Sequence, residues 1–158
     1  MPRSIVYVNL EPLEPVSSDH ERVVTADACT VDDIGSFDLV YSNSTIEHVG
    51  GHERRLEFAD TVRKLGERYW VQTPYRYFPV EPHMVFPFAQ FLPTPARVSV
   101  CRHWKPSYIA ADPHEVMSID LLGLTELRAY FPEATIVKER FAGLVKSLIA
   151  TNAEAAAA

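Results

Sequence analysis

The first glycine of this sequence is Gly35, and the whole chain of 158 residues contains only six. No GxGxG loop can therefore precede the first predicted strands, although such loops let a backbone approach a bound nucleotide closely. The two cysteines, Cys29 and Cys101, lie far apart and match no metal or redox spacing. We expect both to be reduced thiols in a cytoplasmic protein.

Long apolar runs are also missing. No stretch is long enough to span a membrane, and the N-terminal MPRSIVYVNL lacks the apolar core of a signal peptide. The formal net charge of −6 argues against general affinity for nucleic-acid phosphates or anionic membranes. The sequence thus predicts a protein with neither a nucleic-acid partner nor a membrane span.

The most informative stretch is FDLVYSNSTIEHV, residues 37–49. It begins as a buried strand, continues into small polar residues, and ends with Glu47 and His48 side by side. A helix pattern, 53–65, follows after a pair of glycines. In open α/β sheets, the carboxyl end of a strand that precedes a helix is where ligands bind. We therefore place the candidate site at 43–48.

Short apolar runs that stop at polar residues predict further strands at 4–9, 22–26 and 68–73. The strand at 37–41, the helix and the strand at 68–73 form a parallel βαβ unit, whose crossover should be right-handed. Two runs on either side of Ala142-Gly143 predict an antiparallel hairpin, 134–141 and 144–151. The predicted fold is α/β, with a mainly parallel sheet and an antiparallel C-terminal hairpin.

Residues 74–106 differ from the rest, because prolines there alternate with aromatic residues. Such a segment cannot form one regular helix or a central strand. We interpret it as an ordered lid or insertion with a short helix at 84–91, and we expect another helix to start near Thr125. The chain is predicted to be a single domain, 1–151, with a flexible tail at 152–158.

The order of these elements resembles the class I S-adenosylmethionine-dependent methyltransferases, and within them the type 11 group. VYVNLEP resembles the second strand of that family, VVTADA the third, FDLVYSNSTIEHV the fourth and RYWVQTP the fifth, while the hairpin is similar to the sixth and seventh. The resemblance implies a Rossmann-like methyltransferase sheet and S-adenosyl-L-methionine as cofactor. It covers nearly the whole chain, but the usual first strand and its glycine-rich loop are absent.

The resemblance also implies a cofactor site. Asn9 stands where the family has an acidic residue for the ribose hydroxyls, and Glu11 is close enough to replace it. Asp27 would receive the adenine amino group, with Ala28 beside it. The other residues implied at the cofactor are Asn43 and Ser44. Ordinary turn and capping chemistry is the alternative explanation for each of these positions.

Glu47 and His48 are the candidate catalytic pair, because histidine titrates near neutrality and a carboxylate can orient it. EHVG resembles a string in cyclopropane fatty-acid synthases, and a structural cap is the alternative. Tyr75, Arg76 and His83 lie where the family builds its substrate wall, although they could simply fill the core under a long loop. The three histidines His83, His103 and His114 have no metal-ligand spacing, so no metal site is predicted.

Loss of the family's central first strand leaves three alternatives. The second and fourth strands close up, another chain fills the gap, or the chain is a shortened version of a longer protein. Because exposed strand edges favour pairing, we expect a homo-oligomer. The predicted function is methyl transfer from S-adenosylmethionine to a small-molecule acceptor. The alternative is a non-catalytic binding or oligomerisation module that no longer binds the cofactor.

Overall fold

The computed structural model describes residues 4–14 and 18–153. Strands β1 and β2 come first, followed by β3, helix α1 and strand β4; their bounds are Ile5–Asn9, Glu21–Thr25, Phe37–Asn43, His52–Leu65 and Gly66–Pro74. A middle region then holds two short strands, a 3-10 turn and helices α2 and α3, at Val80–Glu81 (β5), Phe86–Pro87 (β6), Ala89–Phe91, Thr94–His103 and Pro113–Ser118. Helix α4 and the final hairpin span Leu124–Tyr130, Thr135–Phe141 (β7) and Leu144–Thr151 (β8).

The larger sheet has four strands in the order β3-β4-β8-β7. Strand β3 pairs with β4 in parallel, while β8 is antiparallel to both β4 and β7. Strands β1 and β2 form a separate parallel pair. The predicted α/β fold, mainly parallel with an antiparallel C-terminal hairpin, is therefore confirmed.

Helix α1 crosses over between β3 and β4, as the βαβ pattern predicts. Its buried apolar face, which includes Phe58, Ala59 and Val62, packs against the larger sheet, where Tyr69 and Val71 are buried. Both cysteines are free, and burial raises the pKa of the Cys29 thiol to about 11. Among the described residues no helix combines the length and apolarity needed to cross a membrane.

Contacts at both ends of β2 show that it runs in the same direction as β3. Near its start, Arg22 donates a hydrogen bond to the Ile34 carbonyl, just ahead of β3. Directly after its end, Asp27 pairs with Arg54 in the first turn of α1, which follows β3. The carboxyl ends of β1, β2 and β3 therefore lie at the same edge of the molecule.

A cavity of about 510 Å³ separates the two sheets. Most of its wall is formed by β1 on one side and by 36–43 on the other, with α1 contributing Phe58, Thr61, Val62 and Leu65. Within the described residues β1 pairs only with β2, and β3 pairs only with β4. Closure of these two strands onto each other, one of the three alternatives, is therefore not what the structure shows, since their facing edges stay unpaired across the cavity.

The Pro-rich middle region has a small core of its own. Met84, Ala89 and Val116 are fully buried there, and side chains of α2 pack against them. The predicted helix at 84–91 is wrong, because that stretch contains β6 and the 3-10 turn. Val85 and Phe88 adopt left-handed backbone conformations, with φ of 50° and 57°, and Pro87 cannot donate a helical hydrogen bond. Regular helix begins only at Thr94, where Pro95 lies in the first turn.

The C-terminal end of the described chain is attached to β4. The predicted flexible tail starts at 152, but the Asn152 side chain accepts a hydrogen bond from the Tyr69 amide (2.8 Å) and donates one to the Glu67 carbonyl (3.1 Å). The remainder of the predicted tail, 154–158, lies outside the described residues.

We predict that Gly66→Ala destabilises the fold, because β3 and β4 approach each other at this position with no room for a side chain. A Cβ at Gly66 would lie 2.6 Å from the Arg68 carbonyl oxygen and 2.7 Å from Val40 Cγ2. Relief of such overlap requires backbone shifts, which cost about 1–3 kcal/mol. Urea unfolding followed by circular dichroism measures the loss of unfolding free energy.

Gly51→Ala is the matched control for this substitution. No described residue comes within 4 Å of the Cβ position at Gly51, whose φ of −67° suits any residue. Because Gly51 is the N-cap of α1, where alanine is less favourable than glycine, the loss of stability should stay below about 1 kcal/mol. Equal stabilities of the two alanine variants would contradict the close approach of β3 and β4 at Gly66.

Candidate active site

The candidate site lies in the turn between β3 and α1, at the carboxyl edge of the larger sheet. Ser44 begins this turn with a left-handed backbone, φ 53°, and its amide donates to both the backbone and the side-chain oxygen of Gln72. Ile46 anchors the turn in the core, since its side chain is fully buried. The His48 amide donates to the Thr45 carbonyl at 2.8 Å, so the two candidate catalytic residues lie in a tight turn instead of a helix.

Glu47 is a fully buried carboxylate. Its Oε2 accepts a hydrogen bond from the Thr73 hydroxyl at 2.9 Å, whereas its Oε1 has no partner in the described part of the chain. Burial raises the pKa of this carboxyl, and the hydrogen bonds it accepts offset that effect in part. A buried acid with one unsatisfied oxygen is a typical feature of functional sites.

His48 and His83 meet beside this carboxylate. Their Nε2 atoms are 3.1 Å apart, and the rings pack edge to face. Desolvation lowers the pKa of His48, and the adjacent His83 lowers it further. The two residues are 35 positions apart in sequence, so the middle region has to fold back to bring His83 to the turn after β3.

Glu81 holds His83 in this position. The Glu81 carboxylate is fully buried; one oxygen lies 2.6 Å from His83 Nδ1, and the other accepts the Met84 amide at 2.6 Å. A carboxylate beside Nδ1 fixes the proton on that nitrogen, which leaves Nε2 with a lone pair when the ring is neutral. The orientation of His83 toward His48 is therefore built into the β5–β6 turn.

The residues predicted to contact adenosine lie at the same edge, but other parts of the protein already occupy the polar groups of Asp27. Both oxygens of Asp27 already have partners, because one accepts the Cys29 amide at 2.9 Å and the other pairs with Arg54. The hydrogen bond from the Cys29 amide, together with Arg54, lowers the pKa of Asp27. Asn9 donates to the Glu11 carbonyl at 3.1 Å, and Glu11 is exposed. The capping role weighed for Asp27 from the sequence is therefore present.

Arg76 and Tyr75, predicted as substrate residues, make mainly internal contacts. Arg76 pairs with Glu126 at 2.8 Å and with Asp120 at 3.2 Å. Tyr75 packs against the main core and against the ring of Tyr77. Of the three residues predicted for the substrate wall, the structure brings only His83 into contact with the catalytic pair.

Some of the predicted cofactor residues line the cavity between β1 and β3, and the others do not. Ala28 and Asn43 line it, together with Ser42 and Thr45, whereas Asn9, Glu11, Asp27 and Ser44 do not. Ser42 Oγ is buried and has no hydrogen-bond partner among the described residues, so a polar group in the cavity could satisfy it. Of the six predicted cofactor residues only Ala28 and Asn43 line the cavity, so any fit to the nucleoside part of S-adenosylmethionine rests on these two residues and on Ser42 Oγ.

Solved structures, an N-methyltransferase among them, share this architecture. The N-methyltransferase NodS from Bradyrhizobium japonicum WM9, solved with S-adenosyl-L-homocysteine, superposes with a TM-score of 0.51 at 11% identity, covering 94% of this chain and 65% of that chain. LepI in complex with SAM gives 0.56 at 8% identity, covering 96% of this chain and 36% of that chain. A possible exported protein from Bordetella parapertussis gives 0.51 at 12% identity, covering 84% and 44%.

Neither a protein-family model nor a curated protein sequence matches the chain. The fold is that of the class I methyltransferases, as the sequence predicted. The chain spans less than two thirds of the length of each of these three structures.

No role was predicted for two residues of the site, Thr73 and Glu81, although Glu81 lies in the segment where the substrate wall was expected. Thr73 directly precedes Pro74 at the end of β4, next to the turn after β3. A polar residue at the end of the strand that pairs with β3 could therefore have been predicted to contact this turn. The role of Glu81 could not be predicted in this way, because it depends on the β5–β6 turn within the Pro-rich segment. The prediction of no metal site considered His83 together with His103 and His114 and did not test His48 with His83.

We predict that Asp27→Asn lowers stability at neutral pH. The pKa of Asp27 is lowered in the folded state, so its contribution is present above the unfolded-state pKa of about 3.9 and is lost as the pH falls through the folded value. With 33% of the side chain exposed, the loss should be about 0.5–1 kcal/mol. Urea unfolding at pH 7 and near pH 3 measures both values.

Asp38→Asn removes the same charge from an exposed position in β3 and serves as the control. It should leave the unfolding free energy unchanged at either pH. A pH-independent loss for Asp27→Asn would contradict the assignment of its stabilising role to the ionised carboxylate.

Proposed function

We propose that this chain is an S-adenosylmethionine-dependent methyltransferase domain that acts on a small-molecule acceptor. The observation that supports this most strongly is the convergence of Glu47, His48 and His83 at the carboxyl edge of a methyltransferase-type sheet. This edge is where open α/β sheets bind their ligands. S-adenosylmethionine supplies the methyl group, whose transfer leaves S-adenosylhomocysteine.

The proposed roles of the residues follow from their positions. Asn43 and Ala28 line the cavity and would contact the cofactor, and Ser44 fixes the turn against β4 through Gln72. Asn9, Glu11 and Asp27 lie at the same edge, on the ribose and adenine side. Positioning of cofactor and acceptor is the main task of the protein, because the cofactor carries the reactive group.

His48 is the residue proposed to face the acceptor directly, because it is exposed at the edge of the cluster whereas Glu47 is fully buried. Glu47 would act on the acceptor only through His48 and His83. Tyr75 and Arg76 would support the acceptor side from the start of the middle region, where Arg76 pairs with Asp120 and Glu126.

The proposal predicts that the chain binds S-adenosylhomocysteine. Isothermal titration calorimetry should give saturable 1:1 binding with a Kd below about 1 mM. Asn43→Ala should weaken binding about tenfold, the equivalent of one hydrogen bond, without loss of stability, since Asn43 is exposed.

Ser36→Ala is the control, because Ser36 lines the opposite end of the same cavity. It should bind the cofactor with an unchanged Kd. Absence of heat at about 1 mM S-adenosylmethionine and S-adenosylhomocysteine would refute the enzyme proposal for this chain. The non-catalytic module would then be the better description.

We further propose that a second copy of this chain covers the unpaired edges of β1 and β3. Both edges border the cavity, and apolar side chains on these strands are exposed: Tyr7 by 39%, Leu39 by 51% and Tyr41 by 64%. Unpaired strand edges with apolar side chains favour pairing with another chain. This arrangement supports the expected homo-oligomer.

Sedimentation velocity tests this proposal. The parent chain should sediment as a dimer or larger species, and Leu39→Lys should shift it toward monomer, because a charge on an edge strand disfavours pairing. Leu56→Lys places the same charge on the exposed side of α1 and should leave the oligomer intact. A monomer at every concentration of the parent chain would overturn the proposal.

A further inference from the structure

The cluster after β3 brings three metal-type ligands together. Glu47, His48 and His83 each offer one ligand atom, and these atoms all lie within 4.8 Å of one another. They come from two separate segments, the β3–α1 turn and the β5–β6 turn. Two imidazoles and one carboxylate form a ligand set that first-row transition ions accept.

Apart from the contact between the two Nε2 atoms, no hydrogen bond among the described residues occupies these ligand atoms. His83 Nδ1 faces the Glu81 carboxylate at 2.6 Å, so its Nε2 is directed at the cluster. Glu47 Oε1 is fully buried and has no partner among the described residues, while Thr73 occupies the other oxygen. This buried carboxylate oxygen therefore lies next to two imidazole nitrogens without a hydrogen-bond donor among the described residues, although Arg55 is near enough to act on the carboxylate electrostatically.

The distance between the imidazoles suits one shared ion. With a metal–nitrogen distance of about 2.0–2.1 Å, two nitrogens on one ion are about 3.4 Å apart in a tetrahedron and about 2.9 Å apart at a right angle. The observed separation of His48 Nε2 and His83 Nε2, 3.1 Å, falls between these values. This separation is compatible with both rings on one ion, as it is with one hydrogen bond between them, and the carboxylate oxygen would move in to join the ion.

The residues behind the ligands have the arrangement found around metal centres. Glu81 and His83 form a carboxylate–histidine pair, which orients the ring and raises its basicity toward a metal. Thr73 orients Glu47 in the same way, and both supporting side chains are fully buried. His48 is exposed, so solvent-side coordination positions would remain open for water or another oxygen ligand.

We propose that Glu47, His48 and His83 form a binding site for a divalent transition-metal ion such as Zn²⁺. This inference concerns metal binding alone and does not depend on methyl transfer or on cofactor binding. The three protein ligands leave at least one position open, which is the pattern of catalytic instead of structural zinc sites.

Cobalt titration of the full chain tests this proposal, after metal is stripped with a chelator and the chelator is removed. Co²⁺ should bind at one equivalent and give d–d absorption bands of a site with nitrogen and oxygen ligands, and Zn²⁺ should displace it. His48→Ala and Glu47→Gln should each weaken Co²⁺ binding at least tenfold, and Glu81→Gln should weaken it by about 10–100-fold through His83. His48 is exposed, so its substitution leaves the core intact.

His103→Ala is the matched control, because this exposed histidine lies on α2, outside the cluster. It should bind Co²⁺ as the parent chain does. Failure of the parent chain to bind Co²⁺ or Zn²⁺ at millimolar concentration would overturn the proposal, as would binding that His48→Ala leaves unchanged. A proton shared between the two rings, seen by imidazole ¹⁵N spectra that Zn²⁺ does not alter, would overturn it too.

Discussion

The parallel pairing of β3 with β4 is the contact on which the site depends. It sets the end of β3 beside Gln72 and Thr73, so that Gln72 holds the backbone of Ser44 and Thr73 holds the carboxylate of Glu47. Gly66 allows the two strands to approach closely at the start of β4. Glu47 and His48 take their positions from this pair of strands, and His83 reaches across to His48.

The middle region completes the site from the other side. Its small core fixes the β5–β6 turn, where the buried carboxylate of Glu81 binds both the ring of His83 and the amide of Met84. The middle region therefore contributes to the site itself, because it places the imidazole of His83 next to His48. A polar cluster with a buried, half-satisfied acid costs stability, and such costs are typical of functional sites.

The strands, the crossover helix and the final hairpin could be predicted from the sequence. Their apolar runs end at polar residues or at glycine, and the spacing of apolar residues that distinguishes helix from strand is visible within each short segment. The turn 43–48 could be located for the same reason. The helix predicted at 84–91 failed because left-handed residues and Pro87 override its apolar pattern. The contact between His48 and His83 joins residues 35 positions apart, and it depends on the β5–β6 turn, which no local sequence pattern predicts.

The cavity between the β1–β2 pair and the larger sheet is the space in which a ligand would bind. It exposes the unpaired edges of β1 and β3 and ends near Asn43 and Ala28, where the adenosine side of a cofactor would lie. The same edge carries the cluster, so one face of the molecule combines a cavity with a polar centre. This combination is the physical basis for the proposed methyltransferase activity.

Amide hydrogen exchange with and without S-adenosylhomocysteine tests that claim most directly, because it locates the ligand as well as detecting it. The account predicts slower exchange in 26–29 and 43–46, at the carboxyl ends of β2 and β3, and unchanged exchange in the β7–β8 hairpin. Protection confined to other segments, or none at saturating ligand, would contradict it.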